Sequence, residues 1–267
     1  MDAFKKFLVS NNLAPNTVSA YITAVKGYIS NYDDFTKKNL LAWKAYLIEN
    51  FKAKTVNLKL QAINKYLEFI KKPNLRIKSV KVQQRTFLEN VISDADYVFF
   101  KKKLKQENNK EWYFIVRFLC ATGARVSELI KIKVEHVNLG FIDLYTKGGK
   151  IRRIYIPIAL RKETTTWLNE TVHIESGYIF LNRFGDRITT RGISQQLKNY
   201  AVKYGIDPKV VYPHSFRHRF AKNFLEKYND IALLADLMGH ESIETTRIYL
   251  RKTASEQQAI VDKIVTW

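Results

Sequence analysis

Four short stretches of the chain carry residue types suited to handling a phosphate. Breaking a phosphodiester needs fixed donors for the negative charge that develops on the non-bridging oxygens, and the planar fork of arginine suits that task. It also needs an in-line nucleophile and a proton for the departing oxygen. The first stretch, Ala121-Thr-Gly-Ala-Arg125-Val-Ser-Glu128, sets Arg125 between a helix ended by Gly123 and a helix starting near Ser127. Taken alone, Arg125 reads better as a surface arginine beside a turn, paired with Glu128 three residues on. The second, Thr146-Lys147-Gly-Gly-Lys150, presents two lysines at a glycine turn, and it is also what an ordinary solvated turn looks like. In the third, Tyr212-Pro213-His214-Ser-Phe-Arg217, the proline suits a first helical position. His214 and Arg217 then share one face beside a helix N-terminus, which favours an anion; a structural histidine with a surface arginine is the competing description. The fourth places Tyr249 nine residues after His240, which follows Gly239 at a helix break. The chain has 15 tyrosines, so this one by itself reads as packing.

The elements that must position these residues are mainly helical. Four helical patterns fill residues 1–72, built on Phe4/Phe7/Leu8, on Val18 to Ile29, on Leu40 to Leu47 and on Val56 to Ile70. Asn16 or Thr17 is the expected cap of the second, and Asp33-Asp34-Phe35-Thr36 announces the third. Residues 73–86 close a run, 71–86, in which six of sixteen residues are Lys or Arg and helical periodicity is lost. This predicts an extended, flexible, basic linker. From 87 to 267 the patterns are again helical, at 160–170, 190–204, 214–228, 230–238 and 242–250. One interruption, Phe141-Ile-Asp-Leu-Tyr and Ile151-Arg-Arg-Ile-Tyr-Ile-Pro, reads as two strands around the glycine turn. The expected fold class is therefore mainly α with a small β-hairpin, divided into a helical bundle at 1–72, a linker at 73–86 and a larger domain at 87–267.

Composition narrows the partners. Lys and Arg number 45 against 25 acidic residues, a formal net charge of +20 with a pI near 9.8. Such an excess attracts polyanions, nucleic acid first among them, although a lysine-rich proteome would produce the same bias. No apolar run reaches membrane-spanning length, and no leader peptide pattern opens the chain. The single cysteine, Cys120, lies in the apolar run FIVRFLCATG and is expected in a core, in a reducing compartment such as the cytoplasm.

Together the four stretches resemble the tyrosine recombinase, or lambda-integrase-like, family, which includes Xer recombinases and phage or transposon integrases. The order Arg, hairpin Lys, His-x-x-Arg, Gly-His and Tyr is the family's, and the words TGARVSEL, TKGGKIRRIYIP, HSFRHRFA and LMGHESIETTRIY match it. Phe216 and Met238 stand where the family usually has leucine, swaps of similar size. The likeness covers about 87–250 as the catalytic domain and, more loosely, the N-terminal bundle as a core-binding (SAM-like) domain. It implies that Arg125 and Arg217 bind the scissile phosphate and that Glu128 supports Arg125. Lys147 would be the general acid, with Lys150 as the alternative. His214 would assist the nucleophile and His240 would hydrogen-bond the phosphate. Tyr249 would attack to give a 3′-phosphotyrosyl link.

The resemblance further implies a site-specific recombinase or integrase that needs no metal, ATP or other cofactor and works through a Holliday junction. A homo-tetramer would bridge two double-stranded DNA sites, nucleoid-associated when bound. The tail, with Ala259-Ile-Val and Ile264-Val-Trp267, would form an amphipathic helix docking on a neighbouring protomer. Base contacts are expected from Lys54, Thr55, Asn57 and Lys59 on one helix and Arg191, Gln195 and Lys198 on another. A type IB topoisomerase-like enzyme and a DNA-binding regulator with a decayed site are the alternatives.

Overall fold

The computed structural model describes residues 1–82, 90–145, 151–170, 177–240, 242–250 and 254–265. It divides into two compact units, Met1–Gln84 and Arg85–Trp267. The first is built from helices α1 (Asp2–Ser10), α2 (Pro15–Ile29), α3 (Lys37–Asn50) and α4 (Ala53–Phe69), then a 3-10 turn at Pro73–Leu75. Phe4, Leu8, Val25, Tyr28, Leu40, Leu47, Leu60 and Ile63 meet in its core. Their removal from water drives this bundle together, at roughly 1.5–3 kcal/mol per large side chain. Thr36 caps α3, its hydroxyl accepting from the Asn39 amide at 3.2 Å. The expected cap of α2 moves: Ala14 is the N-cap and Pro15 itself starts the helix, because proline's missing N–H is harmless in the first turn.

Residues 76–80 lie on this bundle rather than leaving it. Asn64 donates to the Ile77 carbonyl at 2.9 Å and accepts from the Ile77 amide at 2.9 Å. Asn57 does the same for Val80, at 3.0 and 2.8 Å. Seven residues separate the two asparagines, which puts them two turns apart on one face of α4. Ile77 is buried in the bundle core. The first part of the stretch expected as a flexible linker is thus pinned, because α4 supplies side-chain partners for its peptide groups.

The second unit runs α5 (Asp94–Gln106), α6 (Lys110–Thr122), α7 (Val126–Leu129), α8 (Val134–Leu139), β1 (Phe141–Tyr145), β2 (Ile151–Tyr155) and α9 (Ile158–Asn169). It continues with α10 (Thr190–Lys203), α11 (Pro213–Tyr228), α12 (Ile231–Met238), α13 (Ile243–Thr246), a 3-10 turn at Arg247–Leu250, and α14 (Ala254–Ile264). The unit, like the chain, is mainly helical, with a two-stranded antiparallel sheet among the described residues; Phe141 pairs with Tyr155 and Tyr145 with Ile151. Period two then turns Arg152 and Ile154 inward and Ile151, Arg153 and Tyr155 outward. α11 packs on α6. Around them Phe100, Phe118, Leu119, Phe180, Leu197 and Phe216 form the main core, and Cys120 is buried among them. A smaller cluster, Ala221, Leu225, Leu234, Met238 and Tyr249, seats α12 and the 3-10 turn at Arg247–Leu250 on α11.

Candidate active site

The site forms where helix ends meet. Gly123 closes α6 in the left-handed region (φ 60°), with Phe220 of α11 so near that an added Cβ would fall 2.5 Å from its ring. The chain turns there and Arg125 becomes the N-cap of α7. Its backbone amide donates to Glu128 Oε2 at 2.7 Å and its Nη1 to Glu128 Oε1 at 2.8 Å. Its other terminal nitrogen, Nη2, donates to the Gly239 carbonyl at 3.0 Å. The pairing of Arg125 and Glu128 expected from their spacing is present, but in a half-buried setting rather than on an open surface.

Pro213 starts α11, and Ser215 anchors that end by accepting from the Ile92 amide at 2.7 Å. Arg217, two residues on, is 1% exposed. Its Nη1 donates to the Gly123 carbonyl at 2.5 Å and its Nη2 to the Met238 carbonyl at 2.6 Å. Nη2 also lies 3.0 Å from His240 Nε2. Burial, then the charges of Arg125 and Arg152, bring Arg217 down to about 10. A guanidinium gathered with others under so little compensation is a site that an anion would relieve.

Gly239 ends α12 in the left-handed conformation (φ 61°), and His240 follows in the break. Its Nδ1 is 2.7 Å from Thr246 Oγ1, a buried hydroxyl on α13, so the ring is held from both sides. Ser242 caps α13 by accepting from the Glu244 amide at 3.2 Å. Tyr249 falls in the 3-10 turn after α13 and is 6% exposed. Its ring stacks on His240 with centroids 6.1 Å apart and lies 5.2 Å from the ring of His218. Burial raises the Tyr249 hydroxyl, while the charge of Arg217, a hydrogen bond from it and the charge of Arg125 pull the other way.

The surroundings of the three histidines favour the neutral ring. His240 is lowered to about 4, first by burial and then by Arg217, Arg125 and Arg152. His214 meets solvent at the rim, yet packing around its ring and the same two arginines, Arg217 and Arg125, lower it as well. His218 is lowered to about 4 by burial, His214 and Arg217. Neutral imidazoles beside a protonated phenol are proton acceptors.

The structure thus gathers Arg125, Glu128, Arg217, His240 and Tyr249, with His214 at the rim. Lys147 and Lys150 lie outside the described residues. Lys54, Arg191, Gln195 and Lys198 are exposed, and Thr55 and Lys59 half-exposed. Asn57 commits its carboxamide to Val80, so that polar group is already used. Lys198 and Ser194 line a cleft of about 600 Å³ that continues to Tyr212 and His214. Sequence reasoning missed four site residues: Arg152, Tyr212, His218 and Thr246. Arg152 had a signal, since strand alternation puts it on the same face as Ile154; the others had none apart from proximity to the motifs.

Comparisons with known proteins bear on the family and the fold. Residues 99–256 match the phage integrase family. The chain is similar to tyrosine recombinase XerA of Pyrococcus furiosus, 29% identical over 275 residues, covering 98% of this chain and 93% of that protein. It is also similar to the TnP I resolvase of Bacillus thuringiensis, 28% identical, with 92% and 93% covered. Among solved structures, the Tn1549 transposon integrase with transposon right end DNA has a TM-score of 0.74 at 16% identity, covering 99% of this chain and 98% of that one. A lambda integrase dimer bound to a COC′ core site has a TM-score of 0.73 at 18% identity, with 93% and 75% covered. At such identities the structural likeness speaks for the fold.

Proposed function

The chain belongs to the phage integrase family and is a tyrosine-type site-specific recombinase; on that premise we propose that it cuts and rejoins double-stranded DNA through Tyr249. The observation that carries this reading is the convergence of Arg217, His240 and Tyr249, with Arg217 Nη2 3.0 Å from His240 Nε2 and the Tyr249 ring stacked on His240. In the proposed step, the phenolic oxygen of Tyr249 attacks phosphorus. A neutral histidine takes the phenol proton, and the bond to the 5′-oxygen breaks. Arg125 and Arg217 match the charge growing on the non-bridging oxygens, a contribution of about 10²–10³ in rate per donor. Lys147 would protonate the departing 5′-oxygen, with Lys150 as the alternative.

A bound phosphate would also tune the acceptors. It offsets the arginine charges that help depress His214 and His240, so their basicity rises as substrate arrives. The phosphotyrosyl ester conserves the energy of the broken bond. Rejoining therefore needs neither ATP nor a metal, and strand exchange in pairs would pass through a Holliday junction. The N-terminal bundle is proposed as a core-binding domain, with Lys54 and Lys59 among its DNA contacts and Arg191, Gln195 and Lys198 among those of α10. Similar structures were solved on DNA, and the +20 charge suits that partner. Val261, Ile264 and Val265 on and just after α14 are exposed apolar residues, which supports tail docking in a tetramer. A cytoplasmic location follows from the same reading; among the described residues no helix is long and apolar enough to cross a membrane.

The test is a nicked suicide DNA substrate carrying the recombination site. Wild type should give a covalent protein–DNA complex that survives denaturation, and Tyr249→Phe should give none while still binding DNA. A complex formed equally by Tyr249→Phe would reject Tyr249 as the nucleophile. Relaxation of any supercoiled plasmid lacking the site would favour a topoisomerase.

A further inference from the structure

Three successive carbonyls at the C-terminal end of α12 each receive one arginine. Leu237 accepts from Arg152, through Nε at 3.2 Å and Nη2 at 2.9 Å; Met238 accepts from Arg217; Gly239 accepts from Arg125. The last carbonyls of a helix have no partner within it and carry its partial negative charge, so they attract guanidinium groups. Two of these arginines belong to the proposed phosphate site. The third, Arg152, is 4% exposed and comes from β2. Its Nη1 donates to Glu128 Oε2, while Glu128 Oε1 holds Arg125.

We propose that Arg152 is a positioning residue for cleavage: its buried guanidinium ties the hairpin to the end of α12 and holds the carboxylate that orients Arg125. This rests on the phosphodiester reading given above. Arg152 therefore links three things the reaction needs in register. These are strand β2, the Gly239–His240 break that leads to Tyr249, and Arg125. No other route in the described residues joins β2 to Glu128 by a charged group.

The proposal predicts a pH signature that a merely structural residue would not have. The charge of Arg152 is the largest influence lowering Glu128 against the burial that raises it. The groups facing Glu128 are Arg125 from α7, Arg152 from β2, Arg217 and His214 from α11, and His240 after α12. Without Arg152, burial prevails and Glu128 binds a proton at higher pH, releasing Arg125. In a single-turnover cleavage assay on the suicide substrate, Arg152→Met should be about 100-fold slower than wild type at pH 8. Between pH 8 and pH 6 it should lose about 10-fold more than wild type loses through its histidines over the same range. Adding Glu128→Gln to Arg152→Met should abolish that extra fall.

If folded Arg152→Met binds DNA and cleaves within about 2-fold of wild type with an unchanged pH profile, the proposal is overturned. It is also overturned if the acid fall persists in the double variant, since His240 rather than Glu128 would then be responsible. Should Arg152→Met not fold, Arg152→Lys is read in the same way. It keeps the charge but cannot span both Leu237 and Glu128, so cleavage within about 2-fold of wild type would again refute the role. Absence of a covalent complex from wild type itself would instead sink the functional reading.

Discussion

Gly239→Ala tests how tightly the end of α12 is built. The residue sits at φ 61°, and a Cβ there would lie 2.1 Å from Arg152 Cδ and 2.6 Å from Arg152 Nε. Two costs follow. A non-glycine residue in the left-handed region loses about 1 kcal/mol. Arg152 must also withdraw, giving up its charged hydrogen bonds to Leu237 and loosening its hold on Glu128, at about 1.5–3 kcal/mol. The expected loss is about 2.5–4 kcal/mol. Gly205→Ala is the matched control, because φ there is 68° and nothing lies within 4 Å of the added carbon; it should cost about 1 kcal/mol. Urea unfolding of the full chain measures both. Placing Gly239→Ala in an Arg152→Ala background should shrink its cost to the backbone part alone. If Gly239→Ala costs no more than Gly205→Ala, or costs the same with and without Arg152, the packing argument is wrong.

Two other perturbations are read by different methods. Asn57→Ala and Asn64→Ala should each lose about 1–2 kcal/mol by stripping a backbone N–H and a backbone C=O of their partner, and hydrogen exchange at the Val80 and Ile77 amides respectively should accelerate; unchanged protection would mean the segment is held by other contacts. His218 is lowered from 6.5 to about 4, so below pH 6.5 the unfolded chain binds a proton that the folded chain refuses. Stability should therefore be lost as pH falls from 6.5 towards 4, by about 1–2 kcal/mol at pH 5 from this residue after allowing for solvent. His218→Gln should have a shallower acid slope in urea midpoints, and a slope identical to wild type would show that His218 is not held neutral by the fold.

Local signals were written into the chain and survive folding. Thr36, Ser242 and Pro213 start helices, and Gly123 and Gly239 end them, because caps and left-handed residues act on their own few neighbours. The Arg125–Glu128 pair was equally legible, being three residues apart. Tyr249 stood out among 15 tyrosines only by its distance from His240 and by three basic stretches upstream. What only the tertiary structure decided are contacts between residues far apart in sequence. Arg217 reaches Gly123 across 94 positions, and Arg125 reaches Gly239 across 114. Strand alternation sets Arg152 on the face of Ile154 and Arg153 on the other, but only the packing of β2 against α12 gives Arg152 its partners Leu237 and Glu128, while Arg153 pairs with Asp143 on the outer face. The charge on residues 71–86 argued for a free linker, but the partners that pin residues 77 and 80 lie on α4, out of reach of any local pattern. Residue type and spacing can nominate a phosphate site. Its held geometry comes from helix ends whose carbonyls find their arginines only when the chain has folded.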